Sequence, residues 1–517
     1  MKLNGTRLIL WVSILAYILY FGILSILRYR TLYASYYDLG IMYQTVFNTY
    51  RALATFDFSR ILEMTNTMGP EQITRMAIHN DILLAFLAPF FLVNSSPAML
   101  LVIQTVVLGL GALVVYNLTT NVLESFKQKQ IVAFVFSLAW LCYAPMERSN
   151  LYDFHAVVIA TTMLIAMYYY WSIRRYRVSL VLFLLSLLAK EQVSLTTALF
   201  GIYVLLYSVP LKLLMRPFTT YKQILKHIRE DDVNFRFGLS IGAVSVAWFV
   251  LSIFVIIPFF RGGHHFAVER YGELGDGPGS IILAFFTNPG SVYTQLMKGD
   301  PLRYLSLLLG PLGFLSLLSP LHLLIVSPEF AVNLLSNSAN MRNIIYHYTA
   351  VIQPFVFISA MYGFRNAARL LSRGPKTKKY PPLAGKLPLV LCALIIVFSS
   401  FYSYMHGPLF FAKNREIHPI MYPNKERFFV YSWADQLQDD QIKVSASGQL
   451  SPFFTNRRYF YTFSKYYPRA DYVIIRPTEV YNYPEKNELI PAYEQLTRDT
   501  RFKLVQKEDN FEVYKKL

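Results

Sequence analysis

Apolar runs of near-bilayer length recur along the chain up to about residue 405, separated by polar connections of uneven charge. A spanning helix needs about 20 predominantly apolar residues. Clear examples are "LILWVSILAYILYFGILSIL" (8–27), "SLLLGPLGFLSLLSPLHLLIVSPEFAVNLL" (306–335) and "LPLVLCALIIVFSSFYSYM" (387–405). The long central run divides into 302–318 and 321–336. With 98–118, 131–145, 156–171, 178–189, 193–209, 237–258 and 346–363, the pattern predicts about eleven crossings. The stretch 82–93 is too short to span and is expected to lie at the outer surface or to re-enter. Lys2 and Arg7 precede the first run and "RYR" follows it, with no small-residue cleavage site, so it reads as a retained spanning helix.

Past residue 406 the pattern shortens. "IKVSASGQL", "RRYFYTF", "ADYVIIRP" and "FKLVQKEDNFEVYKK" read as short strands around helices at 424–438 and 484–498, the last run turning at "EDN". Two domains are expected. Residues 1–405 form a multi-spanning membrane domain with outer loops 28–81 and 259–301, and 406–517 form a small extracytoplasmic α/β domain.

Composition agrees with the pattern. Hydrophobic residues make up 54% and charged residues 15%, against about 25% charged in an average soluble domain. The class is an α-helical polytopic membrane protein. Cys142 and Cys392 both fall in apolar runs, so no disulfide framework or cysteine metal site is available.

The net charge of +18 invites a nucleic-acid reading, but its distribution argues against one. The connections 119–130, 172–177, 210–236 and 364–386, with Lys2 and Arg7, carry twenty basic residues against four acids. The connections 28–81, 146–155, 259–301 and 337–345 carry ten against eleven. Basic loops stay in the cytoplasm. The charge is a topology signal for a plasma-membrane protein with a cytoplasmic N-terminus and an outer C-terminal domain.

On that map the polar residues collect on the outer side. Asp38 stands in "SYYDLGIMYQTVFNTY", His79 and Asp81 in "AIHNDIL", and Asp153 and His155 in "NLYDFHAV". Lys190 and Glu191 sit at a hairpin tip in "LLAKEQVSL". His264, His265, Glu269 and Arg270 lie in "HHFAVERYGELGDGPGS", and Arg342 and His347 in "NMRNIIYHY". An ionisable group at membrane depth needs a partner to offset its desolvation, which makes each a functional candidate. Structural readings stand beside these. Lys190 and Glu191 pair to tie the hairpin, His155 is a satisfied interfacial histidine, the histidines at 264–265 are solvated, Glu329 pairs with Asn333 one turn on, and most tyrosines form an interfacial belt.

"YYDLGIMYQTVFNT", a His-bearing segment at 79, "SPAMLLVIQTVVLGLGALVVYNL", "NLYDFHAVVIA", "LLAKEQVSL", "ERYGELG", "SPEFAVNLLS" and "YHYTAVIQPFVF" follow one another in order. In these motifs, over about residues 31–365, the chain resembles a prokaryotic family of predicted membrane proteins, domain of unknown function 2079. That family in turn resembles the GT-C glycosyltransferases, multi-spanning enzymes that use polyprenyl-phosphate sugars. The resemblance implies a GT-C-like membrane domain with an acidic catalytic base in the first outer loop, which maps onto Asp38. Many GT-C enzymes carry two adjacent acids there, whereas this loop has Tyr37 and Asp38.

The implied reaction moves a sugar from a polyprenyl-phosphate donor held in the membrane lipid to an outer glycan, lipid or protein acceptor. Displacement at the anomeric carbon is oxocarbenium-like. It needs a carboxylate to take the acceptor's proton and cations to stabilise the leaving phosphate. Asp38 suits the first role; Lys190, Arg270 and Arg342 suit the second. Asp81, Asp153, His79, His155 and His347 either orient the sugar or hold a hard divalent cation, magnesium or manganese, through carboxylate oxygens, with Glu191 a further substrate-binding candidate. A single displacement inverts the anomeric centre. The rival reading is a transporter of a polar or lipid-linked substrate, which the broken helices at 178–209 and 306–335 suit. Against it stand the one-sided polar cluster and the lack of a repeat relating the halves. A non-catalytic assembly factor would leave the same residues as internal ion pairs.

Overall fold

The computed structural model describes residues 5–34, 37–210, 213, 221–263, 265–275, 277–372, 381–415 and 418–517. His264, singled out in the sequence, lies outside them. The chain is mostly helical. It begins with α1 (Gly5–Arg30), α2 (Asp38–Thr55), α3 (Pro97–Val122), α4 (Lys129–Leu141), α5 (Ala144–Tyr152), α6 (Ala156–Ser172), α7 (Tyr176–Leu187) and α8 (Val193–Leu206). Five helical stretches are long and apolar enough to cross a bilayer: Gly5–Arg30, Pro97–Val122, Lys129–Tyr152, Asp232–Arg261 and Lys386–His406. Helices α6, α7 and α8 are apolar but shorter. Ile82–Leu92 winds as 3-10 turns around Pro89.

Eleven full-length crossings are not found among the described residues. The expected pair 302–318 and 321–336 is broken into Pro301–Leu309, Gly310–Leu312, Leu315–Leu318, Pro320–Leu324 and Ser327–Leu334. Prolines explain most of the breaks. Pro301, Pro311, Pro320 and Pro328 each sit in the first turn of a new segment, where a missing N–H costs nothing. Gly313 adds a left-handed turn at φ 61°. Farther on, 346–363 opens on a 3-10 turn, His347–Thr349, before helix Ile352–Ser372. That helix is buried almost continuously from Ile352 to Met361. It is an interior helix wrapped by others.

The chain packs as two compact units. The first comprises residues 1–17, 107–149 and 157–414. Within it α8 lies against helix Asp232–Leu251 at glycine distance: a Cβ on Gly201 would fall 2.6 Å from the Gly242 nitrogen and 2.8 Å from the Gly238 oxygen. Small residues permit such contact where there is no water to drive helices together.

The second unit comprises residues 18–106, 150–156 and 415–517. The first of these segments holds the antiparallel pair β1 (Glu63–Thr65) and β2 (Gln72–Thr74). The last holds a five-stranded sheet of β3 (Val444–Ala446), β4 (Phe460–Thr462), β5 (Tyr472–Ile475), β6 (Phe502–Glu508) and β7 (Phe511–Lys516), in the order β4-β3-β5-β7-β6. Strands β4, β3 and β5 are parallel; β7 runs antiparallel to both of its neighbours. Period-two alternation gives the sheet two apolar faces. One is built from Val444, Ala446, Phe460, Ile474, Phe511 and Val513, covered by Val430, Leu437, Phe453 and Phe454. The other, with Tyr461, Val473, Ile475 and Tyr514, lies under Val480, Leu489, Ala492 and Leu496. Helices Arg427–Gln436 and Lys486–Arg498 fall within the expected ranges, and the β6–β7 hairpin turns at Asp509 and Asn510.

The charge asymmetry gives a topology test at exposed positions of this fold. In a Cys142→Ala, Cys392→Ala background, Met68→Cys and Glu485→Cys should react with an impermeant thiol reagent on intact cells. Ser125→Cys and Ser372→Cys should react only after lysis. Equal labelling of both sets would overturn the orientation.

Candidate functional site

Asp38 is the first residue of α2, and the residue before it is strained. Tyr37 has φ 68°, a left-handed conformation that costs a bulky residue about 1–3 kcal/mol. The surrounding packing holds it there. The Tyr37 N–H donates to the Gly448 carbonyl at 3.3 Å, and its buried ring stacks on Phe460 at 5.7 Å. Gly40, one turn along, lies against Ser451 so closely that a Cβ would sit 2.5 Å from its Oγ. The Asp38 carboxylate is half-buried, and the Tyr152 hydroxyl donates to Oδ2 at 2.6 Å.

Helix α2 is bonded along its length to segments remote in sequence. Gln44 Nε2 donates to the carbonyls of Arg457 and Arg458 at 3.2 and 3.1 Å, and its Oε1 accepts from the Thr65 N–H. Arg458 pairs with Glu63 at 3.0 Å. Tyr29, near the end of α1, stacks on Phe453 at 4.6 Å. The strand-rich C-terminal segment and the Asp38 loop therefore fold as one body.

In the same unit, Gln104 on α3 organises the 150–155 loop. Its Nε2 donates to the carbonyls of Asn150 and Asp153, both at 3.1 Å, and its Oε1 accepts from the His155 N–H at 3.0 Å. The His155 ring stacks on Tyr152 at 5.7 Å, so His155 bears directly on the side chain that holds Asp38. Asp153 is buried. Asp81 is buried too, and Arg75 Nε reaches both its oxygens at 3.0 Å while Nη2 lies 3.0 Å from Oδ2. That fork engages both oxygens of Asp81. His79 is half-buried, its N–H bonded to the Arg75 carbonyl at 3.1 Å.

The first unit gathers the other sequence candidates. Lys190 and Glu191, both buried, occupy the turn between α7 and α8. The sequence left two readings open for them, an ion pair that ties the hairpin and a substrate-binding role for each. Glu191 meets His265, whose Nε2 lies 3.3 Å from Oε1. His265 is buried, not solvated as expected, because that carboxylate receives it. Lys190 Nζ stands 6.0 Å from the Tyr348 ring centroid, and His347 packs its ring 4.3 Å from the same tyrosine. Glu329 does not turn to Asn333. Gln192 donates to its Oε2 at 2.8 Å, while Asn333 donates to the Tyr304 hydroxyl and the Tyr348 carbonyl. Arg342 donates to the Ser336 carbonyl at 2.6 Å, and Arg270 Nη1 lies 3.3 Å from Met341 Sδ.

Sequence reasoning missed Tyr152, Gln104 and Gln192, each of which positions an ionisable candidate. Tyr152 stood next to Asp153 in a quoted motif, but only the fold shows which carboxylate it serves. The two glutamines carried no signal beyond being amides inside apolar runs.

Five apolar helices of spanning length and buried ionisable clusters define a membrane protein. The chain belongs to the family described as "Predicted membrane protein (DUF2079)", whose profile matches residues 28–513. No curated protein matches it in sequence. Among solved structures it is similar to the archaeal oligosaccharyltransferase AglB from Archaeoglobus fulgidus, in complex with an inhibitory peptide and a dolichol-phosphate. The identity is 12% and the TM-score 0.41, covering 90% of this chain and 69% of that one. The apo oligosaccharyltransferase of the same organism gives 12% identity and a TM-score of 0.40, covering 89% and 69%.

The Glu329 contact yields a stability prediction. Gln192→Ala leaves a fully buried carboxylate short of a donor, which should cost about 1–3 kcal/mol. Unfolding of the purified protein should show a lower midpoint, and Glu329→Gln in the Gln192→Ala background should recover part of the loss. An unchanged midpoint in the single variant would show that Glu329 does not depend on Gln192.

Proposed function

We propose that this membrane protein transfers a sugar from a polyprenyl-phosphate donor to an extracytoplasmic acceptor, with inversion, and that Asp38 is the base. The observation that carries the proposal is the placement of Asp38. A strained residue sets it at the start of α2, a tyrosine hydroxyl orients one of its oxygens, and it remains half-open. Strain kept at a carboxylate points to a functional constraint, and a general base needs this combination of fixed geometry and access.

In the proposed reaction the Asp38 carboxylate takes the proton from an acceptor hydroxyl as its oxygen attacks the anomeric carbon. The bond from that carbon to the phosphate oxygen breaks, and the phosphate leaves with the electron pair. The developing phosphate charge needs cations, the role expected of Lys190, Arg270 and Arg342 from the sequence. Arg342 is already fixed by backbone carbonyls, which lowers the cost of ordering it. Asp153, His79 and His155, in the same unit as Asp38, are assigned to orienting the donor sugar. A transporter draws support from the proline-broken stretch 301–334, and the two readings separate experimentally.

Asp38→Asn keeps the shape and removes the proton acceptor. With a radiolabelled polyprenyl-phosphate sugar, transfer should fall at least about a hundredfold, the lower end of the usual general-base contribution, with donor binding nearly unchanged. Near-normal transfer would remove Asp38 as base, and substrate uptake into vesicles without transfer would establish the transporter. Tyr152→Phe should lower kcat by about tenfold, the scale of one hydrogen bond to a charged group, with KM for the donor unmoved. A rise in KM alone would make Tyr152 a binding residue.

A further inference from the structure

The five-stranded sheet has a crevice that the Asp38 chemistry does not use. Strands β3 and β5 are parallel neighbours, and the chain leaves their carboxyl ends in opposite directions. After β3 it passes through Gly448–Leu450 into Ser451–Phe454, on the face that contains Phe453 and Phe454. After β5 it enters Pro477–Asn482, on the face that contains Val480. Outgoing loops that diverge to opposite faces open a crevice outside the strand ends, and this switch point is where open α/β sheets bind ligands. A cavity of about 260 Å³ lies there, lined by Gln449 from the first loop and by Arg476, Thr478, Glu479, Asn482 and Tyr483 from the second.

Its lining is polar. Arg476 and Glu479 are both buried. Arg476 Nη1 donates to Gln449 Oε1 at 2.5 Å and to Glu479 Oε1 at 3.3 Å, and Nη2 donates to Asn424 at 3.2 Å. Arg476 Nε is buried with no hydrogen-bond partner among the described residues. Glu426 stands 3.8 Å from the same guanidinium. Burial pushes the Glu479 carboxyl up to about 7, against the pull of Arg476. A second anion would meet Glu479 and Glu426, and an apolar group would strand the lining amides. A ligand with several neutral hydroxyls satisfies carboxylate, guanidinium and amide together.

We propose that this crevice binds a sugar ring of the acceptor. Its identity as acceptor, though not the binding itself, rests on the glycosyl-transfer reading. The crevice is wired to Asp38 by short bonds. Glu479 Oε2 accepts from the Gln449 N–H at 3.0 Å, and the preceding carbonyl, of Gly448, receives the Tyr37 N–H. Asn424, which accepts from Arg476, donates to the Thr31 carbonyl at 2.9 Å. An occupied crevice therefore stiffens the turn against which the strained residue before Asp38 is held.

The test is saturation-transfer NMR on the full-length protein in phosphatidylcholine nanodiscs, with the methyl glycosides of glucose, galactose, mannose and N-acetylglucosamine as probes. At least one should give a transfer signal. Asn482→Trp, at an exposed lining position, should abolish it without touching the buried pair, and Glu479→Gln should weaken binding about tenfold, the scale of one hydrogen bond to a charged group. Asp38→Asn should bind the glycoside normally. No signal from any probe, a signal unchanged in both crevice variants, or displacement of the sugar by inorganic phosphate would overturn the proposal, leaving the Asp38 assignment intact. Binding at the crevice in a protein whose Asp38→Asn variant still transfers would instead sink the base and keep the crevice.

Discussion

The contact between Tyr37 and Gly448 is the constraint on which the second unit depends. A tyrosine in a left-handed conformation is sustained only when its surroundings outweigh the strain. Here they do so through the N–H bond to Gly448 and the stack on Phe460. Both partners come from a segment some four hundred residues away in the chain. The carboxylate at the head of α2 is therefore placed by the sheet as much as by its own helix. The bonds from Gln44 to the carbonyls of Arg457 and Arg458 extend the same attachment two turns further. Closing so long a loop costs only slightly more entropy than closing a short one, so a handful of such contacts is enough to hold it.

A second constraint governs the helical unit. Buried charges are tolerated when each meets a partner, and truncating one partner leaves the other uncompensated. Glu191 meets that condition through His265, and one oxygen of Glu329 takes a hydrogen bond from Gln192, using residues from distant parts of the unit. The glutamate meets the 265 loop, and Gln192 ties the start of α8 to the broken stretch that carries Glu329. These bonds supply what short, proline-interrupted helices cannot provide through length.

Local features were legible in the sequence. The hairpin at Asp509 and Asn510 and the helices near 427–436 and 486–498 follow from period, turn chemistry and polarity, whereas the helix that Asp38 opens lay inside what read as an outer loop. The long helices at both ends of the membrane region were equally plain. The failures share a cause. Hydropathy counts apolar residues but not hydrogen-bonding capacity, so 302–336 read as two spans although three prolines within it each open a new helical segment. Partner choice was invisible for another reason. Glu191 meets His265, far along the chain, and nothing in the sequence pattern joins the two. The same limit hid Tyr152 and Arg75, which decide what Asp38 and Asp81 are free to do.

Asp81 shows what that limit means for the chemistry. From sequence, Asp38, Asp81 and Asp153 are three acids of similar standing. In the fold, Arg75 spans both oxygens of Asp81 in a buried fork, and a carboxylate so engaged must give up charge-assisted bonds before it can accept a proton or a cation. Among the described residues Asp38 has a single orienting hydroxyl on one oxygen, and it lies in a half-open environment. A base must shed little to do its work, and on that ground the two acids part. The distinction comes from what each carboxylate already holds, not from its place along the chain.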